Sequence, residues 1–228
     1  MRDTAAKPIY SITPFTLLDY PDKTACIVWF AGCNMKCAYC YNPEIVYGKG
    51  RMSYYDAMNF IISRKDLLDG VVFSGGECTS HSNITVFAGA IKKLDMLVKV
   101  DTNGSNLRTI KRMIEEKVVD YIALDYKAPE AKFSEVTQSG LYRKFEETFD
   151  FLNASSVPFE VRTTVHSSIL ERADLQEMIC FLKKKNYTGN FYLQNYVGEK
   201  QTIEELQMSE RISLNELDTH GLSVIVRN

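Results

Sequence analysis

The chain has 228 residues, 45% of them hydrophobic and 25% charged, which is enough to bury one substantial core, and it reads as a single domain over 1–228. A formal net charge of only -2, with no block of like charge, speaks against an electrostatic binder of nucleic acid or of an anionic membrane surface. No apolar stretch approaches a membrane span and the start MRDTAAKPIY lacks a leader's apolar core, so a cytoplasmic location is expected; the six cysteines then read as metal ligands, reactive thiols or buried apolar groups rather than a disulfide framework.

An N-terminal segment, 1–22, holds a short hairpin between Pro8 and Asp22. The strand ACIVWFAG follows, then a helix near Ser53 to Leu68 whose Ser53 and Asp56 suit a first turn, then the strand GVVFSGG. SNITVFAGAIKKL is predicted helical and MLVKVDTNG extended. The alternation continues with NLRTIKRMIEEK and YIALDYK, LYRKFEETFDFLN and FEVRTTV, RADLQEMICFLKKK and NFYLQNY. A last apolar run adds an extra C-terminal strand over 219–227. Strand and helix in regular alternation argue for a parallel sheet with right-handed crossovers. Six units are too few for a complete eight-fold barrel, which leaves a doubly wound open sheet or a partial barrel.

In both architectures ligands gather at the carboxyl edge of the sheet. In chain order that edge carries the Cys33 loop, Gly75-Gly76-Glu77, Asp101-Thr102-Asn103-Gly104, Asp125 with Lys127, Arg162, and Gln194 with Asn195. Loops are polar anyway, so each alone says little; six on one rim say more. Glycines at 75 and 76 let backbone approach a ligand, and Glu77 can accept from an ammonium group. Asp101 and Asp125, with Thr102, could converge on a monovalent cation or on that ammonium. Lys127 and Arg162 are candidate cationic partners for a carboxylate, and Gln194 for a nucleoside.

The stretch GCNMKCAYCYNP places Cys33, Cys37 and Cys40 at the spacing CxxxCxxC. Three close thiolates suit zinc, with Cys78 or His81 as a fourth ligand, or a 4Fe-4S cluster with one iron left open for chemistry. Cys26, in a strand, and Cys180, in the apolar stripe of a helix, read as buried small hydrophobes, and His166 and His220 as structural.

The CxxxCxxC spacing with Tyr39 before the last cysteine, followed by SGGE, resembles the radical S-adenosylmethionine (radical SAM) superfamily. The resemblance implies a partial (β/α)6 TIM-like barrel, a 4Fe-4S cluster on Cys33, Cys37 and Cys40, and S-adenosylmethionine on the open iron. It implies cofactor contacts from Tyr39, Gly75, Gly76, Glu77, Asp101, Thr102, Asn103, Asp125, Lys127, Arg162 and Gln194, and no side-chain general base. In place of the family's usual proline after the glutamate stands Cys78. The stretches LLDYPDKTACIVWFAGCNMKCAYCYNPE, DTNGSN, ALDYKAP and VRTTV are most similar to activating proteins of anaerobic ribonucleoside-triphosphate reductase. That similarity implies hydrogen abstraction from a glycine of this glycyl radical partner, with electrons from a flavodoxin or ferredoxin type donor. The alternatives are a pyruvate formate-lyase type activating enzyme, a radical SAM enzyme acting on a small molecule, and a zinc-stabilised binding module.

Overall fold

The computed structural model describes residues 7–198 and 201–227; the first six residues of the expected N-terminal segment lie outside them. The strands are β1 (Ile9–Thr16), β2 (Ala25–Phe30), β3 (Gly70–Gly75), β4 (Leu97–Thr102), β5 (Tyr121–Asp125), β6 (Phe159–Val165), β7 (Asn190–Asn195) and β8 (Ser223–Arg227). The helices are α1 (Pro43–Val46), α2 (Tyr54–Ile62), α3 (Ile84–Lys92), α4 (Leu107–Glu115), α5 (Glu130–Thr137), α6 (Tyr142–Asn153) and α7 (Arg172–Lys184). The strands follow chain order in one mixed eight-stranded sheet that ends at β1 and β8. All six strands of the expected alternation are present as β2 to β7. Among the described residues no helix is long and apolar enough to cross a membrane.

The chain divides into two compact units. The first comprises residues 1–34, 44–102 and 106–122. In it β1 runs antiparallel to β2, with Thr13 opposite Ile27, and β2, β3 and β4 run parallel, with Val28 opposite Phe73 and Val72 opposite Lys99. β2 and β3 are apolar and buried along most of their length, as expected of parallel strands covered on both faces. Tyr20, Ala25, Ile27 and Val72 form a core cluster with Trp29, Leu97 and Tyr121 against it. The Trp29 indole donates to the Thr13 hydroxyl at 2.8 Å, tying β2 to the antiparallel edge. The expected capping pair is a complete capping box: Asp56 N donates to the Ser53 hydroxyl and Ser53 N to the Asp56 carboxylate. α2 stops at Ile62, short of the expected Leu68, where Ser63 caps it by donating to Phe60 O.

The second unit comprises residues 35–43, 103–105 and 123–228. Here β6, β7 and β8 are parallel, with Thr163 opposite Leu193 and Leu193 opposite Val226. Tyr126 stacks on Phe145 at 4.6 Å, and Phe145, Phe149 and Phe181 continue the aromatic core. α5 was not foreseen: it is eight residues long, opens after Pro129 and closes on Gln138 in the left-handed region, too short for periodicity to mark. Cys180 is a correction. It is exposed, because the buried stripe of α7 is Leu175, Met178, Ile179 and Leu182, and position 180 turns past that stripe. Cys26 lies fully buried in β2 as expected. His166 is buried and structural: Nε2 donates to Gln207 O at 2.9 Å and Nδ1 accepts from Ser168 N at 3.2 Å.

Candidate active site

In the first unit the polypeptide leaves β2 through Ala31 and Gly32, which are pinned by bonds from Ala31 N to Pro8 O and from Gly32 N to Ile45 O. Gly32 takes a φ of 83°, and the half-buried Cys33 follows. The end of β3 lies hard against this exit. Gly76 N donates to Phe30 O and Glu77 N to Gly32 O, both at 2.9 Å. A Cβ on Gly76 would stand 1.8 Å from Gly32 O, and one on Gly75, whose φ is 115°, 2.5 Å from Phe30 N. The paired glycines therefore serve a close backbone approach that sets where the cysteine loop begins. A concavity of about 270 Å³ opens there, lined by Ala31, Gly32, Cys33, Asn34, Ser80 and His81.

Glu77 is completely buried. Its Oε1 accepts from Thr79 N at 3.1 Å, from the Thr79 hydroxyl at 2.5 Å and from the Thr102 hydroxyl at 2.8 Å. Asp101, at the end of β4, accepts from the Ser74 hydroxyl at 3.1 Å and from the ammonium of Lys99. Thr79, Ser74 and Lys99 were not anticipated from the sequence. The signal was present for Lys99, whose spacing of two from Asp101 puts both on one face of the strand.

Cys78 and His81 are turned to other tasks. The fully buried Cys78 thiol donates to Asp101 O at 3.3 Å, and burial together with the charges of Glu77 and Asp101 raises its pKa well above the usual thiol value. His81 Nε2 donates to Ala31 O at 3.0 Å, and burial lowers its pKa, so the ring is neutral at pH 7.

The second unit carries Cys37 and Cys40 on one turn, closed by Cys40 N donating to Cys37 O at 2.9 Å. Lys36 N and Ala38 N bond the carbonyls of Thr137 and Val136 at the end of α5, so the unforeseen helix anchors the turn. Tyr39 is buried and its hydroxyl donates to Lys127 O at 3.3 Å. Burial pushes the Cys37 thiol up to about 11, partly offset by the Lys127 charge. At the end of β5, Asp125 is held by two nitrogens of Arg162, at 3.0 and 2.9 Å, and by Lys127 Nζ at 3.1 Å. Burial alone would raise the Asp125 carboxyl, yet the two cations outweigh it and hold the group below its ordinary range. Asn103 Oδ1 accepts from Ser105 N at 3.0 Å, and Gln194 lies in β7 opposite Thr164 and Arg227.

The donor set fits the cofactors implied by the resemblance. An iron-sulfur cluster takes thiolates, each on its own iron, and the short loop provides three while Cys78 and His81 are engaged elsewhere. In the first unit the buried acceptors Glu77 and Asp101 suit an ammonium group, and in the second the cations Lys127 and Arg162 suit a carboxylate.

Comparison with known proteins agrees. The sequence profile described as the radical SAM superfamily matches residues 27–178. A Methanocaldococcus jannaschii protein that bears the name glycyl-radical enzyme activating enzyme is 30% identical over 218 residues, covering 92% of this chain and 89% of the relative. The pyruvate formate-lyase 1-activating enzyme of Escherichia coli is 30% identical over 110 residues, 44% of each chain. Among solved structures, SuiB of Streptococcus suis bound to S-adenosylmethionine superimposes with a TM-score of 0.67 at 14% identity, over 89% of this chain and 52% of that one. This likeness establishes the fold as the partial (β/α)6 barrel type. The family works with a 4Fe-4S cluster and S-adenosylmethionine. From the match to the superfamily profile and from the long match to the archaeal relative, the chain belongs to the radical SAM superfamily, among its glycyl-radical enzyme activating enzymes.

Proposed function

We propose that this chain activates an anaerobic ribonucleoside-triphosphate reductase by taking a hydrogen atom from a glycine of that partner. When bound, a 4Fe-4S cluster and S-adenosylmethionine would supply the one-electron reductive chemistry for removing that hydrogen atom. The chain's own residues bind and orient. Cys33, Cys37 and Cys40 would hold the cluster through thiolate sulfur, and the buried Tyr39 shields the turn between the last two. Gly75, Gly76 and Glu77 receive the methionyl ammonium, and Asp101 and Thr102 keep that corner polar. Lys127 and Arg162, both bonded to Asp125, would be the cationic partners of a carboxylate, while Asn103 and Gln194 would serve the nucleoside. No side-chain base is needed, because the protein's contribution is position and exclusion of water.

The observation that carries this reading is the thiol inventory. Beyond the loop, Cys26 and Cys78 are buried and Cys180 stands alone on a helix surface, so the described residues offer no ligands for the extra ferredoxin-like centres of other activators. A cytoplasmic setting with a flavodoxin or ferredoxin type donor suits a chain with six cysteines. The match to formate-lyase activators supports a second partner of the same class.

The test is anaerobic reconstitution with iron and sulfide analysis, followed by incubation with reductant, S-adenosylmethionine and either enzyme. A glycyl radical EPR signal with the reductase supports the proposal. A signal with a formate-lyase alone transfers it to the second partner, and zinc without sulfide refutes it.

A further inference from the structure

Lys99 sits in the middle of β4 between Val98 and Val100, and its side chain is 1% exposed. Lysine is almost never buried to this degree unless it is paired. Its partner is Asp101, two residues along the strand, where the alternation of side chains places both on the same face. The Asp101 side chain is itself only 9% exposed. Its other oxygen takes the Ser74 hydroxyl from the neighbouring strand, and its backbone carbonyl takes the Cys78 thiol. The next residue, Thr102, donates to Glu77. The buried ammonium is thus two residues from the groups assigned to the methionyl end of the cofactor, on a strand rather than on a movable loop.

A buried carboxylate stays ionised in company of a positive charge. That charge can come from a recruited alkali cation, for which Asp101 is an oxygen ligand of the right hardness, or from a side chain. We propose that Lys99 is the resident cation of this site: its ammonium takes the place at Asp101 that a monovalent metal ion would fill, and so positions Asp101 for the cofactor without help from solvent salt. Lys99 acts through Asp101 and is a positioning residue. The inference rests on the cofactor assignment above, but its first measurement does not use the cofactor.

The melting temperature of the full chain, and after reconstitution its affinity for S-adenosylmethionine, are to be measured in KCl, in NaCl and in tetramethylammonium chloride at constant ionic strength. For the wild type, Tm should agree within about 1 °C across the salts and affinity within about twofold. Lys99→Ala empties the position and exposes the need. Its Tm should drop by about 10 °C in tetramethylammonium, and rise again, saturably, with K⁺ or Na⁺. Its affinity for the cofactor should fall about tenfold and recover in the same salts. Lys99→Met removes the charge while keeping the volume, so K⁺ and Na⁺ should not rescue it. A wild type that requires an alkali cation overturns the inference, as does a folded Lys99→Ala protein indifferent to these salts, or a Lys99→Met protein rescued by them. Should neither variant fold, the wild-type comparison decides alone. A chain that binds no S-adenosylmethionine in any salt defeats the cofactor assignment, while the Tm series still reads the ammonium.

Discussion

The Tyr39 hydroxyl donates to the backbone carbonyl of Lys127 at 3.3 Å, joining the turn that carries Cys37 and Cys40 to the end of β5. The same Lys127 bonds Asp125 with its side chain. One residue therefore supports a cysteine turn through its backbone and a carboxylate through its ammonium.

The thiols should separate by position. Cys37→Ala is expected to lose the cluster, and with it all reductive cleavage of S-adenosylmethionine, read from iron and sulfide content and from 5'-deoxyadenosine release. Cys180→Ala, on the exposed face of α7, should keep both and change stability by no more than about 0.5 kcal/mol. Equal loss in the two variants would contradict this assignment of the cysteines.

Two glycines should respond in opposite directions. Gly76→Ala drives a methyl group into Gly32 O, and should cost about 3 kcal/mol in urea unfolding and reduce cluster loading, since the exit to Cys33 must move. Gly89, inside α3, has its nearest obstacle 3.5 Å away at Val118. Gly89→Ala should stabilise by about 0.5–1 kcal/mol with cluster content unchanged.

Glu77→Gln tests charge at constant shape. The amide oxygen can still accept from Thr79 and Thr102, so folding should persist. Affinity for S-adenosylmethionine should fall about 10- to 100-fold, the loss expected when a hydrogen bond to a charged acceptor becomes neutral. Unchanged affinity would remove Glu77 from the cofactor site.

Asp125 gives a pH dependence with a fixed sign. Its folded pKa lies below its unfolded value of about 3.9, so its stabilising contribution is fully present above that value and is lost as pH falls through the lower folded pKa. Asp125→Asn should remove this part of the acid limb in a stability profile taken below about pH 5. At neutral pH it should cost about 2–3 kcal/mol, because Arg162 and Lys127 are left mostly buried without this carboxylate. A parallel acid limb in wild type and variant would show that the pair does not carry it.

Much of the fold was legible because the strands alternate with helices whose apolar residues recur at helical spacing. Ser53 and Asp56 announced their capping box by identity and spacing. Cys180 misled because a cysteine among Ile179 and Leu182 looks apolar, although a shift of one position rotates it off the stripe. Lys99 stayed hidden for a different reason. β4 is buried on both faces, so polar and apolar residues do not alternate along it, and a lysine in such a strand can be inside as readily as outside. Beside the room they leave for a ligand, the glycines at 75 and 76 admit the backbone atoms of Phe30 and Gly32, a long-range contact that no local pattern encodes.

Trp29, the chain's single tryptophan, is tethered to Thr13 just ahead of the loop that begins at Cys33. Its emission is therefore a built-in gauge. The broad visible absorption of an assembling iron-sulfur centre would quench that fluorescence, so loading can be followed in real time in the unmodified protein, without label or added chromophore.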